Sequence, residues 1–372
     1  MKKIDLKEIT AWHESHADKK LDVRYFNLKS LLPYLKQFEN SFLTHKIGES
    51  FESRDIYKVT VGHGDIPVLL WTQMHGNEST GTRAFLDLLL FFKNPGSMQW
   101  LADHILKSCT VHCIPMLNPD GAEAYTRVNA QDIDLNRDVL DMRARESRIL
   151  QEVLRDVDPR YCFNLHDQRT IFSVSPGNET ATISFLAPSV DAERTITEGR
   201  KETMRVISAM NSFLQRFIPG RIGRYTDEFY PTATGDNFQK MGHNTILIES
   251  GHSPGDYQRR EARRATFLAL LEGLRYIASD DESHFHEAYF DIPNNEKNYL
   301  DVIVRNVKVS EARMDIGVLF IENLSNGSVK FTPSIDKTGD LSAINADVII
   351  NGSDLEFSEE SDVNLWLENK YN

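Results

Sequence analysis

"WTQMHGNESTG", residues 71–81, decides how this chain is read. An apolar run from Val68 to Met74 ends abruptly in a histidine, a glycine, an asparagine and a glutamate. Packing alone gives a buried strand no reason to finish on an imidazole and a carboxylate three residues apart. A metal gives one, provided that the rest of the chain brings a third ligand, a base and a group that grips a substrate.

The 372 residues suffice for one large domain with a smaller one beside it, or for two ordinary domains. A hydrophobic content of 40% and an aromatic content of 10% are those of a globular protein with a sizeable core. The 55 acidic residues outnumber the 42 basic ones, for a net charge of −13, and such a field repels nucleic acid. Apolar runs such as "FLDLLLFF" are too short to span a membrane, and no apolar stretch follows the basic opening. The expected location is therefore cytoplasmic, with no membrane partner and an oligomeric state left open. Cys109, Cys113 and Cys162 each sit in or beside an apolar run and read as buried free thiols.

Outward from the opening stretch, strand-like and helix-like segments alternate. Residues 26–39 read as an amphipathic helix opened or kinked at Pro33. "DIYKVTVG" and "PVLLWTQM" read as strands joined by a hairpin turn at His63-Gly64-Asp65. "STGTRAFLDLLLFF" is a helix capped by Ser79 or Thr80. Strands at "SCTVHCIPML", "RYCFNL" and "NTILIES" then alternate with helices at 142–157, 191–217 and 256–278. The pattern predicts an α/β domain over residues 1–285, its mixed, largely parallel twisted sheet covered by helices on both faces. Near residue 280 the composition turns polar, and residues 286–372 read as a small β-rich appendage with Asn-Gly turns and no catalytic constellation.

Ligands bind beyond the carboxyl ends of strands in open α/β sheets, and four such ends here carry polar chemistry. They present His75 and Glu78, then Asn118-Pro119-Asp120-Gly121, then His166, then Glu249. Two histidines and a glutamate would leave a tetrahedral zinc one open position; otherwise His166 is a hydrogen-bonded core histidine. Glu249, after four apolar residues, fits a general base, or else a capping or salt-bridging carboxylate. Arg127 and Arg137 are candidate donors to an oxyanion, or solvated loop arginines.

"MHGNE", "NPDG", "TRVNAQDIDLNRD", "FNLHD" and "LIESG", in that order, resemble the zinc metallocarboxypeptidase family typified by carboxypeptidase A. The resemblance covers roughly residues 50–255 and implies that fold, one Zn²⁺ ion and peptide substrates with a free C-terminal carboxylate. It implies His75, Glu78 and His166 as metal ligands, Glu249 as the base and Arg127 as the carbonyl-polarising arginine. Asn136 and Arg137 correspond to the pair that grips the terminal carboxylate. Tyr230, or failing it Tyr225, corresponds to the mobile capping tyrosine. Asp236 falls near the side-chain pocket, where it favours a basic terminal residue or serves as a structural loop aspartate. Gly76-Asn77 departs from the arginine that many digestive members carry between the first two ligands. "HGNE" and "DLNR" also occur in the aspartoacylase and succinylglutamate desuccinylase branch, so an N-acyl amino-acid hydrolase is the alternative, and a cell-wall peptide amidase a further variant. "NPDG", the Arg127–Asn136 spacing and the long His166–Glu249 interval favour the peptidase. The short N-terminal segment predicts no folded inhibitory pro-region.

Overall fold

The computed structural model describes residues 2–175, 179–279 and 284–371; the polar tract 280–283 lies outside them. The chain opens with α1 (Leu6–His16) and α2 (Leu28–Phe38). Asn27 caps α2 by accepting from the Ser30 amide, so Pro33 lies within this helix instead of opening it. Strands β1 (Leu43–Glu49), β2 (Asp55–Gly62) and β3 (Ile66–Trp71) follow, then helices α3 (Thr80–Lys93) and α4 (Gln99–Ser108). Next come β4 (Cys109–Ile114), the short α5 (Pro119–Ala124), α6 (Arg145–Val157) and β5 (Tyr161–Asp167). Three short strands, β6 (Phe172–Val174), β7 (Glu179–Thr180) and β8 (Ile183–Leu186), precede α7 (Glu198–Leu214). The expected helix over 191–217 thus begins only at Glu198, because Thr197 caps it by accepting from the Arg200 amide. Strand β9 (Ile222–Arg224), α8 (Thr234–Lys240), β10 (Asn244–Ser250) and α9 (Arg260–Ile277) complete this part.

The main sheet runs in the order β1-β2-β4-β3-β5-β10-β8-β9. Strands β4, β3, β5 and β10 are mutually parallel, while β1, β2 and the β10–β8 junction are antiparallel. The hairpin expected at His63-Gly64-Asp65 does not form, since β4 inserts between β2 and β3. The amides of His63 and Gly64 instead donate to Leu106 and Cys109 carbonyls. Strand alternation sorts side chains into two layers. Val68, Leu70, Phe163, Leu165, Ile246 and Ile248 join the core under α1, α3, α7 and α9. Leu69, Trp71, Ile114 and Cys162 face the other way, toward α6 and Phe238 of α8. All three cysteines are buried and unpaired. Among the described residues, no helix is long and apolar enough to cross a membrane.

Past residue 285 the chain first stays with the main core, which buries Tyr289 and Ile292, and β11 (Asn295–Lys297) pairs with β6. Then β12 (Tyr299–Val309), β13 (Ala312–Ser325), β14 (Ser328–Gly339), β15 (Asn345–Asn351) and β16 (Glu356–Phe357) build a separate five-stranded sheet. A final helix, α10 (Glu360–Tyr371), buries Val363 and Leu367 against this sheet, a helix that the strand-like sequence pattern does not predict. Asn326 and Gly327 both have positive φ, the turn geometry that closes the long β13–β14 hairpin.

One buried ion pair ties three helices to one another. Asp87 of α3 accepts from Arg263 Nε of α9 at 2.7 Å and meets His13 Nε2 of α1 at 3.1 Å. Removing one partner strands the other charge away from water. Asp87→Ala is therefore expected to cost about 3–5 kcal/mol of unfolding free energy, read from urea denaturation; a loss within the scatter of surface variants would refute this role.

Candidate metal centre and substrate cleft

Alternation along two neighbouring strands brings the distant candidates together. On β5, Phe163 and Leu165 enter the helical core, so Cys162, Asn164 and His166 take the opposite face. On β10, Ile246 and Ile248 enter the same core, which turns Leu247 and Glu249 outward. The parallel register pairs Glu249 directly with His166.

His75 and Glu78 stand four and seven residues beyond the last residue of β3, so a tight turn has to carry them back to that face. Gln73 takes the left-handed φ of 44°, and its side-chain amide donates to the carbonyls of Phe26 and Gly76. Gly76 passes so close to Gly121 that a Cβ on it would lie 1.9 Å from the Gly121 carbonyl carbon. The "NPDG" motif thereby becomes intelligible as a support. Asn118 caps α5 by accepting from the Gly121 amide, and its own side-chain amide donates to the Met74 carbonyl. Asp120 accepts from Ser50 Oγ and the Glu52 amide, which holds α5 against the β1–β2 turn.

Three ligand-type atoms converge as a result. His75 Nδ1 lies 2.8 Å from Glu78 Oε1, His166 Nδ1 lies 2.9 Å from Glu78 Oε2, and the two Nδ1 atoms are 3.1 Å apart. Asp134 Oδ1 meets His75 Nε2 at 3.1 Å, which assigns that ring's proton to Nε2 and leaves a lone pair at Nδ1. Burial alone would raise the Asp134 carboxyl, but His75 and Arg127 hold it well below the usual carboxylate range. Two facing imidazole nitrogens and a carboxylate, all buried, make an electron-rich pocket that one divalent cation would satisfy. The donor set fits zinc.

The same cleft, of about 820 Å³, is lined by Arg127, Asn136, Arg137, Tyr225, Tyr230, Asp236 and Glu249. Arg127 Nη1 sits 3.4 Å from Glu78 Oε1, while its Nε donates to Asp134 Oδ2 at 3.0 Å. Glu249 is partly buried at the wall. Burial, with Glu78 and Asp167 nearby, pushes its carboxyl well above the ordinary range, against Arg127 and Arg259. Asn136 accepts from the Thr234 amide of α8, and Arg137 lies over the Tyr230 ring at 5.5 Å. Tyr230 is exposed at the rim, whereas Tyr225 is packed on Phe172. Asp236, in the first turn of α8, accepts from the Tyr230 amide; burial pushes its carboxyl up to about 6, against that bond and the nearby Arg137 and Arg200.

Several cleft residues escape sequence reasoning. Asp134 looks like a capping aspartate, and it does accept from the Asn136 amide. Asp167 follows His166 and both starts and braces the site. It accepts from Thr80 Oγ1 at the start of α3, where Ser79 makes no side-chain cap, and its amide donates to Glu78 Oε2. Arg24 reaches Asp167 at 2.8 Å from a segment with no motif at all.

A family model described as zinc carboxypeptidase matches residues 30–218, half of the chain and all of the candidates above up to His166. Carboxypeptidase M of Mus musculus is 28% identical over 141 residues, which cover 32% of this chain and 32% of that protein. Carboxypeptidase D of the same species is matched over only 10% of its length, so the chain spans a minor part of these relatives. Among solved structures, a metallo-carboxypeptidase from Burkholderia cenocepacia superposes with a TM-score of 0.54 at 14% identity, over 68% of this chain and 70% of that one. A metallo-carboxypeptidase from Pseudomonas aeruginosa, determined in complex with (2-guanidinoethylmercapto)succinic acid, gives a TM-score of 0.51 at 14% identity, over 67% and 69%.

Because Asp134 orients His75, Asp134→Asn is expected to weaken zinc affinity about 10–100-fold in competition with a chelator. Unchanged affinity would mean that the His75 ring is held by packing alone.

Proposed function

The chain belongs to the zinc carboxypeptidase family, and on that premise we propose that it removes the last residue from peptides with a free C-terminal carboxylate. The observation that carries this reading is the convergence of His75, Glu78 and His166 in one cleft with Glu249, Arg127 and the Asn136–Arg137 pair. One zinc ion held by those three side chains would supply Lewis-acid chemistry, polarising the scissile carbonyl and acidifying water.

The chain's own residues account for the rest. Arg137, with Asn136 beside it, binds the terminal carboxylate through paired hydrogen bonds, which restricts attack to the last peptide bond. Arg127, adjacent to Glu78, donates to the carbonyl oxygen as it gains negative charge. Glu249 takes a proton from the attacking water and returns it to the leaving amine. Tyr230, exposed at the rim and stacked beside Arg137, closes over the bound end, with Tyr225 the deeper alternative. Asp236 selects a basic terminal side chain. Its neighbourhood with Arg137 matches what the Pseudomonas aeruginosa ligand combines, carboxylates joined to a guanidino group.

Zinc-loaded protein given matched peptides with free and amidated C-termini, alongside N-acyl amino acids, tests this reading. Release of the last residue from free-ended peptides alone is expected; cleavage of the acyl amino acids alone would move the chain to the acylase branch. Glu249→Gln is expected to keep zinc and lose about 10²–10⁴-fold in turnover, and full activity in that variant would remove Glu249 from the role of base.

The Asp236 carboxyl is neutral below about 6 and charged above it. The preference for a lysine- or arginine-ended peptide over a neutral one, as a ratio of kcat/KM, is therefore expected to rise with pH through about 6. Asp236→Asn should flatten that profile. A ratio that is pH-independent in the unaltered protein would make Asp236 a structural residue.

A further inference from the structure

The cleft has a wall that the family-matched stretch, residues 30–218, does not supply. Phe320, Ile321 and Glu322 of β13, with Ile335 and Asp336 of β14, line the same cavity as the metal-site residues and Glu249. This hairpin is bonded to the centre through a short relay. Glu322 accepts from Arg24 Nε at 3.1 Å and from the Tyr125 hydroxyl. Arg24 Nη1 donates to Asp167 at 2.8 Å, and the Asp167 amide donates to Glu78 Oε2 at 3.1 Å. The Tyr257 ring packs against Phe320 at 5.4 Å and Phe331 at 5.1 Å, which pins the hairpin from its other side.

The contacts divide the cleft into two ends. Asn136, Arg137, Tyr230 and Asp236 bond to one another and to α8, and the hairpin bonds to none of them. The hairpin end is mixed: Leu319, Phe320, Ile321 and Ile335 line it beside Glu322, Ser334 and Asp336. Leu319 and Phe320 pack into the C-terminal sheet, but Ile321 remains 50% exposed within the cavity, near a lining that also includes Ile171 and Phe172. The volume of about 820 Å³ falls within the range of small-ligand sites, typically about 300–1,000 Å³.

Resting on the carboxypeptidase reading above, we propose that the β13–β14 hairpin caps the upstream end of the cleft and makes the enzyme selective for short peptides, of about two to four residues, with an apolar side chain ahead of the scissile bond. A substrate anchored at Arg137 runs past Glu249 toward Ile321, where a longer chain meets paired strands.

The test is kcat/KM on an N-acetylated ladder, from dipeptide to octapeptide with a shared C-terminal pair, for the unaltered protein, Ile321→Ala and Ile321→Trp. Ile321 is half exposed, so both variants keep the core intact. Activity of the unaltered protein is expected to fall about tenfold or more between the shortest and longest members, less steeply in Ile321→Ala and more steeply in Ile321→Trp. Leucine ahead of the scissile bond is expected to outperform glutamate, with a smaller margin in Ile321→Ala. Length-independent kcat/KM, or one slope for all three proteins, overturns the cap; equal turnover of the leucine and glutamate peptides overturns its apolar preference. A parallel series of single amino acids with acyl groups from acetyl to decanoyl separates the two levels. If no peptide is cleaved but acyl amino acids are, the peptidase reading falls. The cap then stands only if activity drops with acyl length and Ile321→Ala relieves the drop, and a flat acyl profile overturns it too.

Discussion

Parallel pairing of β3, β5 and β10 is the constraint on which the cleft depends. Parallel strands bring their carboxyl ends to one edge of the sheet, so residues 75–78, 166 and 249 meet although nearly half the chain separates them. Register then selects the face. Glu249 opposes His166 and both point away from the helical core; a slip of one residue in β10 would present Ile248 to the cleft and bury the carboxylate among Phe163 and Leu165. The packing of Ile246 and Ile248 therefore aims Glu249, and the hydrophobic core and the candidate site are two readings of one alternation.

That edge gathers charges which the interior tolerates only when bonded. Glu78, Asp134 and Asp167 are compensated by the histidines, by Arg127 and by Arg24, and Arg259 donates to the carbonyls of Ser250 and Gln168 at the strand ends. A buried ion pair adds little net stability, yet losing one member leaves the other charge stranded. Such pairs work as registers more than as glue. Arg24 joins the N-terminal segment, the end of β5 and the C-terminal hairpin at one guanidinium, so segments far from any motif fix the shape of the site.

What was legible in the sequence follows from this physics. Apolar runs of strand length with a polar residue at the end predicted β3, β5 and β10 within a few residues, and with them His75, Glu78, His166 and Glu249 as neighbours. The His63-Gly64-Asp65 turn misled because a turn signal is local, while the partner of β2 is chosen by the whole sheet, which inserts β4. Asp134 and Asp167 were illegible because an aspartate in a loop looks the same whether it caps a helix or orients an imidazole. The hairpin wall was illegible for a different reason. Phe320, Ile321 and Glu322 read as ordinary strand, and only the docking of one sheet on another turns Ile321 toward the cleft.

Building that wall from paired strands has a consequence for recognition. A loop of similar length would yield to a long substrate, whereas β13 and β14 pair continuously from Val318–Ile335 to the tight turn, with Tyr257 packed against them. Its carboxylate at Glu322 is engaged by Arg24 and Tyr125, which leaves Ile321 as an exposed apolar group that the proposed cap would present. At the opposite end Arg137 and Asp236 line the cleft, where the proposed function places recognition by charge. On the proposed reading, recognition by charge and recognition by size sit on different elements, one on α8 and its neighbouring loop, the other on a sheet beyond the family-matched stretch. The hairpin is nevertheless tied to the centre, because the Glu322–Arg24–Asp167 relay ends on Glu78.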